Sequence, residues 1–462
     1  MAGTSGSPGV SRSAGVSRSA GVSLAERAAA DGTTFVLATF VDLDGKPCAK
    51  LVPAAALDRA QADGVGFAGF AAGGTGQVPS DPDIIAMPDP DSYVALPTVR
   101  PGLAMVQCDP HVDGAPWPFA PRIILRRLRE RLAGAGMSMQ VGAECEYFLV
   151  RRGPDGTIVP ADAEDAAAKP CYDARDLTRM YDHLTEVSAA LNSLGWDNYA
   201  NDHEDGNGQF EQNFGHADAL TTADRVIAFR YLVRMTAERR GMIATFMPKP
   251  FTGLTGSGMH LHVSLWAGEQ ALFPDDSDPR GLGLSTLAYS FVGGVLSHVP
   301  ALLALLTPTV NSFKRTGAPP PNSGATWTPS RATYGGNDRT HLIRVPDGDR
   351  VEIRVVDGAA NPYLAIAGLI AAGLDGIDAG LDPGPVGGLA GPGRAAAVAA
   401  ELPPTLLHAV EAFVADPVIT GVLAAAGGAG VPAYYAARRR AEFLDWHSRV
   451  GSWETRRYLT AF

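Results

Sequence analysis

V-G-A-E-C-E-Y-F-L-V, residues 141–150, decides how this chain is read. As a strand with a period of two, it sets Val141, Ala143, Cys145, Tyr147 and Leu149 on one face and Glu144 and Glu146 together on the other. Two carboxylates on one surface repel each other. In an apolar strand that arrangement is costly unless a cation, an arginine or water lies against it. On its own the pattern also describes the wet face of a half-buried antiparallel strand.

Two further stretches repeat the device. M-H-L-H-V-S-L (259–265) sends Met259, Leu261, Val263 and Leu265 to one face and His260, His262 and Ser264 to the other. R-V-E-I-R-V-V (350–356) sends Val351, Ile353 and Val355 inward, with Arg350, Glu352 and Arg354 opposite. Between the first two lies N-D-H-E-D-G-N-G-Q-F-E (201–211), with Glu204 and Glu211 on either side of two glycines, as in a loop bent around an ion. Carboxylate-rich ligation with one or two imidazoles suits Mg2+ or Mn2+ better than zinc. Cations for anions follow: N-S-F-K-R (311–315) carries Lys314 and Arg315, and N-D-R-T-H-L-I-R (337–344) carries Arg339 and Arg344. Guanidinium groups beside bound divalent metals suit a nucleotide polyphosphate and a substrate carboxylate. Any one of these strands alone is more often a polar sheet face; three in series, with glycine-flanked acids between, argue for a site.

The composition agrees. With 462 residues, 46% apolar and 19% charged, the chain is of ordinary globular type and long enough for two domains. A net charge of -11 and the lack of a basic stripe interleaved with aromatics argue against nucleic acid as a partner. Four cysteines, at 48, 108, 145 and 171, form no C-x-x-C pair, which fits a reducing, cytoplasmic setting. Residues 1–23 repeat G-V-S-R-S-A and read as a disordered low-complexity tail. Leu282–Pro308 is apolar enough to be weighed as a membrane span, but Ser290, Ser297, His298 and Pro300 interrupt it. A buried helix ending near Val299, followed by a second short helix, is expected instead, and no membrane partner.

Taken in order, residues 24–113 predict a small β-rich domain, with strands on either side of a turn at Asp44-Gly45. The stretch 64–79 is expected as a mobile glycine-rich loop. Prolines 110, 116, 118 and 121 mark a boundary, and residues 114–462 form the second domain. Its expected helices span Ile123–Leu132, Leu177–Leu194, Asp218–Arg239 and Pro362–Ile377. Asp382–Arg394 reads as a loop, and the last stretch, about 60 residues, as amphipathic helices.

At this point the sequence resembles the glutamine synthetase family. The matching pieces are G-A-E-C-E-Y-F, H-E-D-G-N-G-Q-F-E, A-T-F-M-P-K-P-F, G-S-G-M-H-L-H-V-S-L, N-S-F-K-R, R-V-E-I-R and N-P-Y-L-A, from about residue 24 to the C-terminus. The resemblance implies an α+β chain: an amino-terminal β-grasp domain and a catalytic domain with a curved antiparallel sheet and helices. It also implies ATP-driven amide formation on the γ-carboxylate of glutamate. By motif position, Glu146, Glu204 and Glu211 would hold one metal, and Glu144, His260 and Glu352 another. His262, Ser264, Arg339 and Arg344 would meet ATP. Gly256, Arg315 and Arg354 would hold glutamate, with Arg315, Arg339 and Arg354 acting in catalysis. Stacked hexamers are implied too, a dodecamer in which the amino-terminal domain completes a neighbour's site.

Two departures stand out. Ammonia-using members have F-D-G-S-S in the amino-terminal domain, where this chain has F-A-G-F-A, with Ala68 and Ala71 in place of the aspartate and the second serine. No Asp or Glu occurs between Arg315 and Asp338, where the family has an acidic flap residue. Both carboxylates of an ammonium site are thus missing, while Phe67, Phe70 and Trp327 offer apolar contact to an alkyl group. F-A-G-F-A with S-G-A-T-W is similar to the type III ligases near γ-glutamylmethylamide synthetases. The expected reaction joins L-glutamate to a small primary amine such as methylamine. Ammonia, ethanolamine or a polyamine are alternative acceptors, and a non-catalytic family member is the rival class.

Overall fold

The computed structural model describes residues 21–316, 320–324, 327–387 and 400–462. Most of the expected tail, parts of the proline-rich stretch after Thr316 and the end of the Asp382–Arg394 loop lie outside these residues.

Two sheets organise the chain. In the smaller, Phe35–Val41 pairs antiparallel with Pro47–Pro53 and parallel with Leu103–Val112, which continues through Ile84–Pro88 to Val65–Phe67. The turn between the first two strands places Gly45 at φ +83°, a conformation that favours glycine. A last short strand, Ala115–Pro116, closes this sheet just past residue 113, and Pro121 opens the first helix of the larger part.

The larger sheet is built on Ser138–Arg152. The order across it is Ala200–His203, Gln209–Asn213, Ser138–Arg152, Met259–Ala267, Val351–Ile353, Ile343–Arg344 and Tyr334–Gly335. Val141, Ala143, Cys145, Tyr147 and Leu149 are all buried in one continuous apolar core, together with Val226, Phe229 and Val233 of the helix Ala219–Glu238. Alternation thus fixes one face as core and leaves the other for chemistry. Cys145 belongs to the core face, where burial pushes its thiol up to about 12.

Four elements differ from the sequence reading. Leu282–Pro308 holds one helix, Thr286–Leu306, that continues through Pro300. The carbonyl that Pro300 leaves without a donor belongs to Leu296, on the partly exposed stripe of the helix, where water can serve it. This helix and Pro362–Ala379 are each long and apolar enough to cross a membrane, yet both are largely buried inside the fold. They pack backbone to backbone: a Cβ on Gly294 would fall 2.1 Å from the Ala372 carbonyl oxygen. The expected Leu177–Leu194 helix is two, Ala174–Arg179 and Tyr181–Ser193, broken at Met180. Residues 64–79 are not a free loop, since Val65–Phe67 is a strand, Gly69–Ala72 a helical turn, and Gln77 is buried beside Gly69. The strand expected over 350–356 is reduced to Val351–Ile353.

Arg122 joins the two parts. Its guanidinium reaches Asp89 (2.7 Å) and Asp109 (2.7 Å) of the smaller sheet's side and Asp224 (2.9 Å to Nε) on the helix Ala219–Glu238. The arginine is 3% exposed, and removing it takes the guanidinium from buried Asp224 and leaves Asp89 and Asp109 to Arg126 alone. Arg122→Ala is expected to cost about 3–5 kcal/mol in denaturant unfolding. Burial raises the Asp89 carboxyl, but Arg122 and Arg126 draw it down to about 2. Its stabilisation is therefore complete above its ordinary value of 3.8 and lost as pH falls toward about 2. In fully buried Asp224 burial outweighs the same guanidinium and raises the carboxyl, so the acid window belongs to Asp89. Wild-type stability should drop across that window, and the variant should show a flatter acid limb.

Candidate active site

The strand register sets the ionisable side chains in rows on the open face of the larger sheet. Glu211 pairs with Asp202 on one side and Glu146 on the other. Glu144 pairs with His260, and the next row runs His262, Glu352, Arg344. Across the sheet, the rows pass from acids alone, to an acid beside an imidazole, to an acid beside arginine.

The acidic end carries more negative charge than the protein neutralises. Burial first, then Glu146 and Asp202, push the Glu204 carboxyl up to about 8. Burial, followed by Glu144, Glu204 and Glu146, raises Glu211 well above the usual carboxylate range, against one opposing hydrogen bond from Asn213 (3.0 Å). Glu146 uses only Oε2 within the protein, accepting from Gly258 N (2.8 Å) and Gln209 Nε2 (3.0 Å). Its Oε1 lies 3.6 Å from His260 Nε2, and His260 Nδ1 lies 3.6 Å from both Glu144 Oε2 and Glu352 Oε1. At that distance none is a hydrogen bond. An imidazole among three carboxylates, bonded to none, with further acids whose own repulsion raises their pKa, is a donor set that fits hard divalent cations.

Ligand atoms that come within 4.8 Å of one another form the triplets Glu144–Glu211–His260, Glu144–His262–Glu352 and Asp202–Glu204–Glu211. Five of the six carboxylate and imidazole residues named as ligands from the sequence belong to these triplets, and the sixth, Glu146, adjoins them with Oε1 3.6 Å from His260 Nε2. Glu211 and Glu144 each belong to two triplets, so the groups adjoin one another along the face. Asp202, which the sequence reading passed over, joins them; its signal was its place two residues before Glu204. A fourth triplet, Asp165–Asp176–His203, is occupied by protein donors. His203 Nε2 (2.9 Å), Asn207 Nδ2 (2.9 Å) and the Gly208 amide meet Asp165, and Arg179 Nη2 meets Asp176 (2.6 Å), a clamp under the 204–208 turn.

At the other end the carboxylates are held ionised. Glu352 is fully buried and accepts from Arg344 Nη1 (2.5 Å) and from Arg354 Nη1. Burial raises its carboxyl, but His260, Arg354 and His262 bring the net shift below the usual range. Glu144 is likewise lowered, burial being outweighed by His262 and His260. Arg350 Nε donates to His262 Nδ1 (3.1 Å), and His262 Nε2 lies 3.0 Å from Glu144 Oε1. Ser264 accepts from Trp266 Nε1 (2.9 Å). Arg339 is exposed at the rim, and its carbonyl takes Arg354 Nε (3.1 Å).

Arg315 stands apart from the other arginines. It is 4% exposed, and both terminal nitrogens are spent on backbone, Nη1 on Val355 O (2.9 Å) and Nη2 on Arg354 O (3.2 Å). Gly256 and Gly258 make room for it. A Cβ on Gly256 would lie 2.4 Å from Pro248 O, and one on Gly258 2.5 Å from His260 Nε2.

The expected amine-pocket residues are divided. Phe67 is buried in the small sheet's core, edge-on to Phe40 at 5.0 Å, so it presents no open surface. Ala68, Phe70 and Ala71 are exposed on the smaller part. Trp327, 40% exposed, lies on the larger part, its Nε1 donating to Asp205 (2.8 Å). Asp205, whose Asp-Gly signal reads only as a turn, is a second residue the sequence left unassigned.

Residues 118–458 match the family described as glutamine synthetase, catalytic domain. A glutamine synthetase of Rhizobium leguminosarum bv. phaseoli is 42% identical over 93% of this chain and 98% of its own length. A glutamate–methylamine ligase of Methyloversatilis universalis is 40% identical over 93% of this chain and 96% of its own. A solved GmaS/ADP complex superposes with a TM-score of 0.87 at 46% identity, covering 94% of this chain and 99% of that one. The chain belongs to the glutamine synthetase family.

Proposed function

We propose that this protein is an ATP-dependent carbon–nitrogen ligase that joins the γ-carboxylate of L-glutamate to a small primary amine, methylamine first, through a γ-glutamyl phosphate. The observation that carries the reading is the charge gradient across one sheet face, acids at Glu204 and Glu211 and guanidinium groups at Arg344 and Arg354. Divalent ions, Mg2+ or Mn2+, held by Glu144, Glu146, Glu204, Glu211, His260 and Glu352 would neutralise a phosphoryl group in transit to a carboxylate. His262, Ser264, Arg339 and Arg344 line the side on which ATP would lie. Arg354 and Gly256 would receive glutamate, and Arg315 braces the backbone that carries Arg354. Transfer of the γ-phosphoryl group makes an acyl phosphate; the amine, having given up a proton, attacks its carbonyl carbon and phosphate leaves.

The alkylamine preference rests on Ala68 and on the acid-free stretch between Arg315 and Asp338. The 40% identity to a relative named for glutamate and methylamine supports it. Glutamine formation from ammonia is the second reading, because a relative 42% identical is named a glutamine synthetase. Assembly as a dodecamer of stacked hexamers is part of the proposal: Ala68, Phe70 and Ala71 are exposed and have no described contact with the metal-type residues of their own chain.

Three measurements test these statements. Glutamate- and ATP-dependent phosphate release should be faster with methylamine than with ammonia, ethylamine or ethanolamine at equal concentration; a clear ammonia preference rejects the alkylamine assignment. Mn2+ should raise the unfolding temperature of the chelator-treated protein, by an amount equivalent to about 2.7 kcal/mol at a hundredfold excess over Kd. Glu211→Gln should abolish most of that shift while stabilising the metal-free protein, because it removes a buried charge that its neighbours repel. Light scattering should give a twelve-subunit mass; a fully active monomer would refute the shared site.

A further inference from the structure

One buried carboxylate beside the site has an oxygen to spare. Asp205 is 8% exposed, and both donors that reach it, Trp327 Nε1 (2.8 Å) and Ser323 Oγ, end on Oδ2. Among the described residues, Oδ1 has no hydrogen-bond partner and no cationic side chain pairs with Asp205. Asp205 lines a cavity of about 170 Å3. Asn207 lines it too, and its Nδ2 is committed to Asp165 Oδ1 (2.9 Å) and Ala167 O (3.1 Å). The side-chain oxygen of Asn207 therefore remains an acceptor with no donor among the described residues. Leu254 and Pro321 supply apolar wall.

The place of this cavity matters as much as its lining. Asp205 follows Glu204 in the acidic hairpin, and Leu254 stands two residues before Gly256. Asn322 N bonds Gly253 O (2.8 Å), closing the wall between them. The Trp327 carbonyl accepts from Arg354 Nη2 (3.5 Å), and Arg354 in turn holds Glu352. The cavity thus sits between the loop proposed to hold metal and the loop proposed to hold glutamate.

We infer that this cavity is the subsite for the acceptor amine, which enters as an alkylammonium ion. Its N–H groups meet the carboxylate of Asp205 and the side-chain oxygen of Asn207, and its alkyl group lies against Leu254 and Pro321. The inference deepens the ligase reading and rests on it. A single charge supplied within one chain replaces the two carboxylates whose absence at Ala68 and after Arg315 leaves an ammonium site incomplete. A divalent metal is the poorer fit, since one carboxylate and one amide fall short of the oxygen ligands such ions require. An ammonium ion asks only for acceptors and a negative charge.

Asp205→Asn keeps an acceptor for Trp327 and Ser323 but removes the charge. The expected result is a KM for methylamine, a cation at neutral pH, raised about tenfold to a hundredfold. KM for ATP and glutamate should be unchanged, and so should turnover of hydroxylamine, which is neutral at the same pH. Leu254→Phe should raise KM more for ethylamine than for methylamine and least for ammonia, which separates filling of the cavity from loss of folding. Equal loss with methylamine and hydroxylamine would make Asp205 only a tether for Trp327 and overturn the proposal, as would an unchanged methylamine KM. If the wild-type protein turns over no amine at all, the ligase reading fails and takes the subsite with it. If it turns over methylamine while Asp205→Asn behaves as wild type, the subsite alone fails.

Discussion

The constraint on which this structure depends is the crowding of carboxylates on one face of one sheet. Alternation binds that face to the other: wherever Val141, Ala143, Cys145, Tyr147 and Leu149 point into the core, Glu144 and Glu146 must point out. The acids cannot relax apart by slipping a strand, because a one-residue slip would drive every one of them into the apolar core. Repulsion between Glu146 and Glu211 is therefore held in place by hydrophobic packing on the far side of the same strands, and Glu204 adds to it from the turn that joins the two edge strands. The site stores unfavourable electrostatics that a cation relieves, a trade of stability for binding common at active sites.

The sheet order turns this crowding into direction. Strands from one edge bring Asp202, Glu204 and Glu211; the middle brings Glu144, Glu146 and His260; the far side brings Glu352, Arg344 and Arg354. Carboxylates at the first end are raised by burial and then by their neighbours, while Glu144 is lowered by imidazoles and Glu352 by imidazoles and guanidinium. A polyphosphate laid across such a face meets cation sites at one end and arginines at the other, so its orientation follows from the order of strands. Rigidity of the support keeps the gradient sharp. The backbone-close packing of Gly294 on Ala372 and the Arg122 clamp leave the layers beneath the sheet little freedom to shift.

The alternation was legible in the sequence because period two survives any tertiary context; hence the open face of each of the three key strands could be read before the fold. Register was not. Nothing in G-A-E-C-E-Y-F or Q-F-E says that Glu146 stands opposite Glu211, and without that pairing the ligand atoms could be sorted only by motif. The misread helices have a like cause. Pro300 looks like a breaker by propensity, yet its freed carbonyl partner faces the partly exposed stripe, so the helix continues. Met180 carries no break signal, and the interruption there comes from the turn preceding Tyr181. Asp202 and Asp205 escaped notice because an aspartate near glycine is the ordinary residue of a turn.

Selectivity between ammonia and an alkylamine is a difference between two free energies, and the chain's departures act on that difference. Ammonium is compact and strongly hydrated, so a site that extracts it from water must offer charge on several sides. An alkylammonium ion presents one face of N–H groups and one apolar face, and asks for charge on one side only. A pocket with a second carboxylate on the apolar side would desolvate that charge against a methyl group and lose affinity for the larger amine. Alanine at 68 and an acid-free stretch from 316 to 337 would, in the proposed site, remove such charges without disturbing Glu204, Glu211 or the arginines proposed to face the phosphate. Under the proposed assignment, phosphoryl transfer and amine choice fall to different residues, which would let the acceptor change while the activation of glutamate stays fixed.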